Sequence, residues 1–387
     1  MRSHITTPDI SADRARGCRQ FLRRWMGLAL LFSTFAIAQD AADFDSLVQA
    51  GSAARDQNDA TTALKLYTRA LELKPDWPDG WWYVGVLEYG NGSYSAAQDA
   101  LSHFIQLTSD AGPALALRGL CEFELGAYPQ SLQDIQHGLA LGAANKPRNE
   151  AVLRYHEALL LTLGGEFEDA LRQYAFFSHT GATDPEMLTG VGLAGLRVQL
   201  LPKDVEPARR ELLLAAGSAA FHFMAGDNDA AQREFQALFE RFPAAVNAHY
   251  FYGYLLFAKD PELAVVEFKR ELEVAPANAD AHVMLAWYFL LQNNSVEALP
   301  HAQKAVAEAP ASTTAQLALG RALVETGDVT AGTERLEKVV KLDPGNTEIH
   351  LALVKAYSKS GRKEDAQRER LLCLETTKDG AITVAHP

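Results

Sequence analysis

The sequence predicts an all-α fold, a solenoid of about nine stacked helix–turn–helix pairs. The first observation is periodic. Small residues recur at Ala63, Ala97, Ser131, Ala170, Ala231, Ala264, Ala298, Gly332 and Ala366, spaced by 34, 34, 39, 61, 33, 34, 34 and 34. A period near 34 is too long for one helix and right for two helices with their turns. The second is a larger residue four places after most anchors, namely Tyr67, Leu101, Ile135, Tyr174, Phe235, Phe268 and Leu336. Residues i and i+4 share a helix face. The third is punctuation: Pro75, Pro243, Pro276, Pro310 and Pro344 fall twelve places after their anchors, where proline ends one helix and redirects the chain. On the preceding helix, Gly51, Gly85, Gly119 and Gly320 precede their anchors by twelve, and Gly253 by eleven, so paired helices can approach closely.

In chain order, residues 39–43 are a short acidic lead and the first pair begins near Phe44. Pairs one to three run to about Asn145. The turn-forming run Gly142–Asn149 then delays pair four by five residues. The spacing of 61 equals one period plus 27, which predicts an insertion. Residues 184–200 read as an additional helix, Leu201-Pro202-Lys203-Asp204 breaks it, and the next first helix spans about Glu206 to Ala225. The expected division is thus an N-terminal arm at 44–181 with about four repeats, a seam at 182–204, a C-terminal arm at 205–376 with about five, and a disordered tail at 377–387. The seam reads equally as a hinge or as a degenerate repeat that continues the array. Lys363, Glu364, Asp365, Arg368, Glu369 and Arg370 give the last pair the polar outer face that a solenoid end needs.

With these positions in hand, Trp81, Val84, Gly85 and Tyr89, followed by Ala97, Leu101 and Phe104, resemble the tetratricopeptide-repeat signature W-x2-L-G-x2-Y, A-x3-F. Leu285, Ala286, Phe289, Ala298 and Pro310 resemble it again, and the resemblance covers roughly 44–376. It implies a right-handed superhelix whose first helices line the concave wall and whose second helices line the convex one. The chaperone-binding branch of this family holds a terminal carboxylate in a basic, asparagine-lined clamp. Val48, Ser52, Trp82 and Val86 stand at those places, so chaperone docking through that clamp is disfavoured.

The N-terminus reads as an export signal occupying 1–38. The apolar run Trp25–Ala38 follows Arg19, Arg23 and Arg24 and ends in Ala36-Ile37-Ala38, a small-x-small cleavage pattern. It is shorter than the ~20 residues a spanning helix needs. An uncleaved N-terminal anchor is the alternative. Arg23-Arg24 fits a twin-arginine signal weakly, and no lipobox cysteine follows the run. Export would place the chain in the periplasm or outside the cell. The style of the signal points to a bacterial source.

Composition suits a helical solenoid, with 48% hydrophobic residues and a net charge of −13. Cleavage after Ala38 would remove six basic and two acidic residues and leave −17. Such a charge repels nucleic acids and anionic lipid headgroups. Beyond Cys18 in the signal, Cys121 and Cys373 lie about 250 residues apart on separate repeats, which disfavours a disulfide, and neither has metal-ligand spacing.

No catalytic motif emerges. The chain lacks H-E-x-x-H, G-x-S-x-G, a phosphate-cradling glycine loop and C-x-x-C, so it reads as a non-enzyme with no cofactor. Asp227-Asn228-Asp229 reads as a turn rather than a calcium loop. Glu206, Arg209 and Arg210 form the sole charged cluster at the seam and read as solvated. His249, His282 and His350 share one register position, where the family often carries tryptophan. Gln316 interrupts the series, which favours helix-packing histidines over a metal site.

What remains is a stripe at spacings of four and three on the first helices, which the resemblance places on the concave wall. It comprises Trp82, Val86 and Tyr89, then Phe123 beside Leu120, Tyr155 beside Leu159, Tyr250, Tyr254 and Phe257, and Trp287 and Leu290 with Val283. Its ends are polar, with Ser52 and Arg55 in copy one, Arg321 in copy eight, and Lys355, Ser358 and Lys359 in copy nine. An aromatic channel of this kind suits a partner peptide or amphipathic helix. Either these rings form an open groove, or a tight winding or the helix at 184–200 covers them. The expectation is a non-catalytic protein-interaction scaffold of the bacterial envelope or extracellular space. The alternative is an accessory glycan- or lipid-binding module for a separate envelope enzyme.

Overall fold

The structure, a computed structural model, describes residues 43–109, 111–144, 146–179 and 184–378. The expected signal at 1–38 and residues 379–387 of the expected tail lie outside the described residues. Every regular element among the described residues is helical. The helices follow one another in pairs joined by short turns, with one extra helix, and they divide into two compact units, 1–156 and 157–387.

The first unit comprises α1 (43–56), α2 (Ala60–Leu73), α3 (Pro78–Gly90), α4 (Tyr94–Leu107), α5 (Gly112–Glu124), α6 (Tyr128–Ala140) and the start of α7 (Pro147–Gly164). The second holds the rest of α7, then α8 (Phe167–Ser178), α9 (Pro185–Gly195) and a 3-10 turn at Pro202–Asp204. It continues with α10 (Pro207–Met224), α11 (Asn228–Arg241), α12 (Ala248–Leu256), α13 (Pro261–Val274), α14 (Ala279–Leu291) and α15 (Ser295–Glu308). It ends with α16 (Thr313–Thr326), α17 (Val329–Val339), α18 (Thr347–Lys359) and α19 (Lys363–Lys378).

The periodic residues mark the places where paired helices touch. Ala63, Ala97, Ala170, Ala231, Ala264 and Ala298 have no solvent exposure. The glycine before each anchor meets the large residue after it. A Cβ built on Gly51, Gly85, Gly119, Gly253 or Gly320 would lie 2.7–2.8 Å from Tyr67, Leu101, Ile135, Phe268 or Leu336 respectively. The two positions form one interlock, a ring or branched chain seated where a side chain has been deleted. Dense packing of this kind leaves no room for a methyl without displacement.

The turn within each pair is set by backbone conformation. Asn58, Gly92, Gly126, Gly165, Gly226, Asn293, Gly327 and Gly361 all have positive φ, and each stands five residues before its anchor. Only glycine and, at modest cost, asparagine adopt that conformation readily. The following helix is then capped by a side chain in several copies. Asp59, Asp227 and Asp260 each accept a backbone N–H at 3.0 Å, and Asn294 and Asp328 do the same at 3.2–3.3 Å. Such caps satisfy donors that the first helical turn otherwise leaves bare.

The insertion lies within the second unit, where α9 packs against α8 and α10. Its contact with α10 is backbone to backbone. A Cβ on Gly192 would lie 1.9 Å from the Leu213 carbonyl oxygen, and one on Gly217 would lie 1.8 Å from that of Leu188. Gly190 meets the hydroxyl end of Tyr174 on α8 in the same way. Among the described residues no helix is long and apolar enough to cross a membrane.

Candidate functional site

The ten residues of the expected groove fall into two environments. In the first unit, Trp82, Val86 and Tyr89 lie along α3, Phe123 on α5 and Tyr155 on α7. Val86 is exposed and the four rings are half-buried. Three of the rings lean on neighbouring rings. Trp82 leans on Phe104 at 5.6 Å, Tyr89 meets Tyr94 edge-on at 5.7 Å, and Phe123 meets Tyr128 at 5.6 Å and His156 at 4.8 Å. Burial is the main influence that raises the Tyr89 phenol above its usual range. The protonated, hydrogen-bond-donating form is therefore the one it presents.

In the second unit Tyr250, Phe257, Trp287 and Leu290 are buried, at 5–8% exposure, and Tyr254 is half-buried. Here the expected open channel is filled by the chain's own groups. The Arg321 guanidinium lies 4.4 Å from the Trp287 ring centroid and pairs with Glu348 at 3.3 Å. Phe257 packs against Phe268 at 6.1 Å. Tyr250 stacks beside Tyr254 at 6.4 Å and is covered by Arg197, from the turn that follows α9. A cation laid over a ring recovers part of its lost hydration through the ring's negative face.

Arg197 belongs to a charged cluster that sequence reasoning missed. Its Nη1 donates to Glu168 Oε1 at 2.5 Å and to the Tyr250 hydroxyl at 3.3 Å. Its Nε lies 2.9 Å from Asp280 Oδ2, and its guanidinium carbon lies 4.8 Å from the Phe167 centroid. The reading of Glu206, Arg209 and Arg210 as the only charged cluster at the seam is corrected accordingly. Those three are exposed, and Arg210 reaches only the Val205 carbonyl at 3.3 Å. The sequence signal was a lone arginine just beyond a glycine-rich apolar helix, and its partners are 29 and 53 residues away.

The polar end of the stripe is paired within itself. Lys355 and Lys359 both bridge to Glu325, the latter at 2.9 Å, beside a cleft of about 210 Å³ lined by Arg321, Glu348 and Leu351. At the other end Ser52 Oγ lies 3.3 Å from the Tyr67 hydroxyl, and Arg55 lies over Tyr83 at 4.8 Å.

The three register-matched histidines each bond within their own repeat. His249 Nδ1 meets Glu267 at 2.7 Å, His282 Nδ1 meets His301 Nδ1 at 3.0 Å, and His350 Nδ1 meets Glu369 at 2.6 Å. Their register position has a structural role. Trp81 Nε1, Gln316 Nε2 and His350 Nε2 each reach the carbonyl of the proline six residues earlier, at 2.7–2.9 Å. Tryptophan, glutamine and histidine are alike in offering a side-chain N–H there. Cys121 and Cys373 are buried thiols, and burial pushes Cys121 up to about 12.

Comparisons with known proteins agree with the repeat geometry. Two family models, both described as tetratricopeptide repeat, match residues 48–101, 222–264 and 255–313, and residues 327–369. The heat shock protein sti1 homolog of Schizosaccharomyces pombe is 32% identical over 111 residues, 29% of this chain and 18% of that protein. The chain thus spans less than a fifth of that relative's length. Among solved structures, MamA is 20% identical at a TM-score of 0.38, covering 45% of this chain and 95% of its own. Yeast Tom70 is 16% identical at 0.37, covering 87% and 76%. YrrB, titled a TPR protein with an unusual peptide-binding site, is 20% identical at 0.37, covering 44% and 91%. Proteins with these repeats bind protein or peptide partners and generally serve as non-catalytic scaffolds. With its interlocked helix pairs and its matches on both sides of the insertion, the chain belongs to the tetratricopeptide-repeat family.

Proposed function

We propose that this protein is a non-catalytic scaffold that holds a partner peptide or amphipathic helix on the aromatic stripe of its first unit, in the bacterial envelope or outside the cell. The observation that carries the reading is the contrast between the two units. Trp82, Tyr89 and Phe123 are half-buried and Val86 is exposed, whereas Tyr250, Phe257 and Trp287 are covered from within. Half-buried aromatics held by neighbours are pre-organised, so little side-chain entropy is lost when a partner covers them. The signal-like segment at 1–38 supports export.

The test is capture from bacterial envelope extract by residues 39–387, set beside a Trp82→Ala/Val86→Asp/Phe123→Ala variant with matching helical circular dichroism. A polypeptide that cross-links to the native stripe and is lost from the folded variant supports the reading. Equal capture by both chains refutes it. A glycan or lipid recovered in place of a polypeptide would favour the accessory-module alternative.

A further inference from the structure

We propose that Phe167, Glu168, Tyr250 and Asp280 form a guanidinium-binding cage, filled in cis by Arg197, that accepts an arginine side chain of a partner segment in exchange. The site lies in the second unit and is independent of the stripe proposed above.

The cage matches the shape of a guanidinium rather than a simple positive charge. The Phe167 and Tyr250 rings lie 4.8 and 5.3 Å from the guanidinium carbon. Around its edge, Nη1 serves both Glu168 Oε1 and the Tyr250 hydroxyl while Nε faces Asp280 Oδ2. An ammonium is a point charge with no flat face and cannot meet both rings and both carboxylates in this way. Three helices, α8, α12 and α14, supply the four groups, so the cage is part of the packed scaffold and not of the turn that fills it.

The charge count favours a cation in the cage, whichever chain segment supplies it. Two carboxylates surround one guanidinium, which leaves the cage one negative charge in surplus. The carboxylates are also within reach of solvent, with side-chain exposures of 36% for Glu168 and 37% for Asp280 against 20% for Arg197. Burial raises the Asp280 carboxyl above its usual range against the opposing pull of Arg197.

The occupant is delivered under strain. Arg197 has φ +57°, a conformation that residues with a side chain rarely adopt. The turn itself is held independently, because Asn247 Nδ2 donates to the Leu196 carbonyl at 3.1 Å and Val198 N to that of Leu193 at 2.8 Å. Removing the Arg197 side chain thus empties the cage without freeing the turn. An arginine arriving on a partner competes with a tethered one, so exchange is concentration-dependent.

The experiment uses the full chain carrying Arg197→Ala, titrated calorimetrically with ethylguanidinium and, separately, with ethylammonium. The expected result is saturable ethylguanidinium binding about tenfold tighter than ethylammonium, lost in Arg197→Ala/Asp280→Asn. Acetyl-arginine-methylamide should bind the variant at least about tenfold tighter than wild type, since the cis arginine competes. Absent saturation, equal affinity for the two cations, or equal binding by wild type and variant each overturns the proposal. Should Arg197→Ala fail to fold, Arg197→Gln replaces it. Should both be unfolded, millimolar ethylguanidinium must restore helical circular dichroism, and failure to do so overturns the proposal. None of these readouts depends on capture through Trp82 or Phe123.

Discussion

Gly192→Ala should loosen the second unit by about 3 kcal/mol, although alanine is the better helix former. In an ordinary helix interior this substitution gains about 1 kcal/mol. Here the new Cβ would fall 1.9 Å from the Leu213 carbonyl oxygen, where ordinary contact begins at 3.4 Å. The obstacle is backbone, which cannot rotate away as a side-chain end can. Helices α9 and α10 must separate by about 1.5 Å, and Gly217 then loses its own contact with the Leu188 carbonyl. Overpacking alone costs ~1–3 kcal/mol, and the gap opened along the α9–α10 seam adds lost burial. Two controls bracket the effect. Gly320→Ala meets the flexible end of Leu336 at 2.8 Å and should cost about 1 kcal/mol. Gly90→Ala meets nothing within 4 Å and should be neutral or stabilising by ~0.5–1 kcal/mol. Urea unfolding followed by far-ultraviolet circular dichroism gives the three midpoints on one chain. Repeat arrays unfold in parts, so the comparison is made on the transition that Gly192→Ala moves. A midpoint for Gly192→Ala at or above that of wild type would refute the close approach of α9 and α10.

Three further outcomes are expected. His301 is held down to about 4 by burial, and then by His282, Lys304 and Lys269. Its folded value lies below the unfolded value of about 6.5, so the unfolded chain binds the proton first. Stability should fall on acidification from about 6.5 towards 4, and His301→Gln should flatten that part of a thermal-midpoint profile against pH. Glu122 is buried with Oε2 unpartnered, and burial raises its carboxyl above the usual range, so stability falls as pH rises through the interval between the usual and the raised value. Glu122→Gln should therefore stabilise at pH 7 by about 1 kcal/mol while keeping a carbonyl acceptor for Gln98 Nε2, as a urea midpoint would show. Trp81→Phe keeps the stack on His103 but removes the bond from Nε1 to the Pro75 carbonyl, and should lower stability by about 0.5–1 kcal/mol in the same assay.

The repeat was legible because its determinants are local. Anchor, glycine and large residue all lie within 16 positions of one another, and Gly320, Gly332 and Leu336 meet as their spacing requires. The departure from the period marked the place of the extra helix but not its end, since α9 stops at Gly195 where the sequence pattern carries it to 200. The turn residues at Asn58, Gly92 and their counterparts keep the same register and went unread, because glycine and asparagine share a backbone conformation and no side-chain character. The fate of the aromatic stripe was not legible. Tyr250 and Trp82 look alike in sequence, and only the placement of Arg197 by a turn of left-handed geometry separates a covered ring from an open one. A pattern on one helix shows which face is apolar and cannot show what later arrives on that face.

The Arg197 cage also has a place in time. Each interlock of glycine and large residue closes within one helix pair, so a pair can form as soon as its own residues leave the ribosome, and low contact order makes that step fast. The cage cannot follow that schedule. It needs Glu168, made 29 residues before Arg197, and Tyr250, made 53 residues after it, and Asp280 comes later still. During synthesis the Phe167 ring and the Glu168 carboxylate therefore wait beside Arg197 for the sixth and seventh pairs to arrive. Closure of the cage is thus a late, long-range step laid over a series of early, short-range ones.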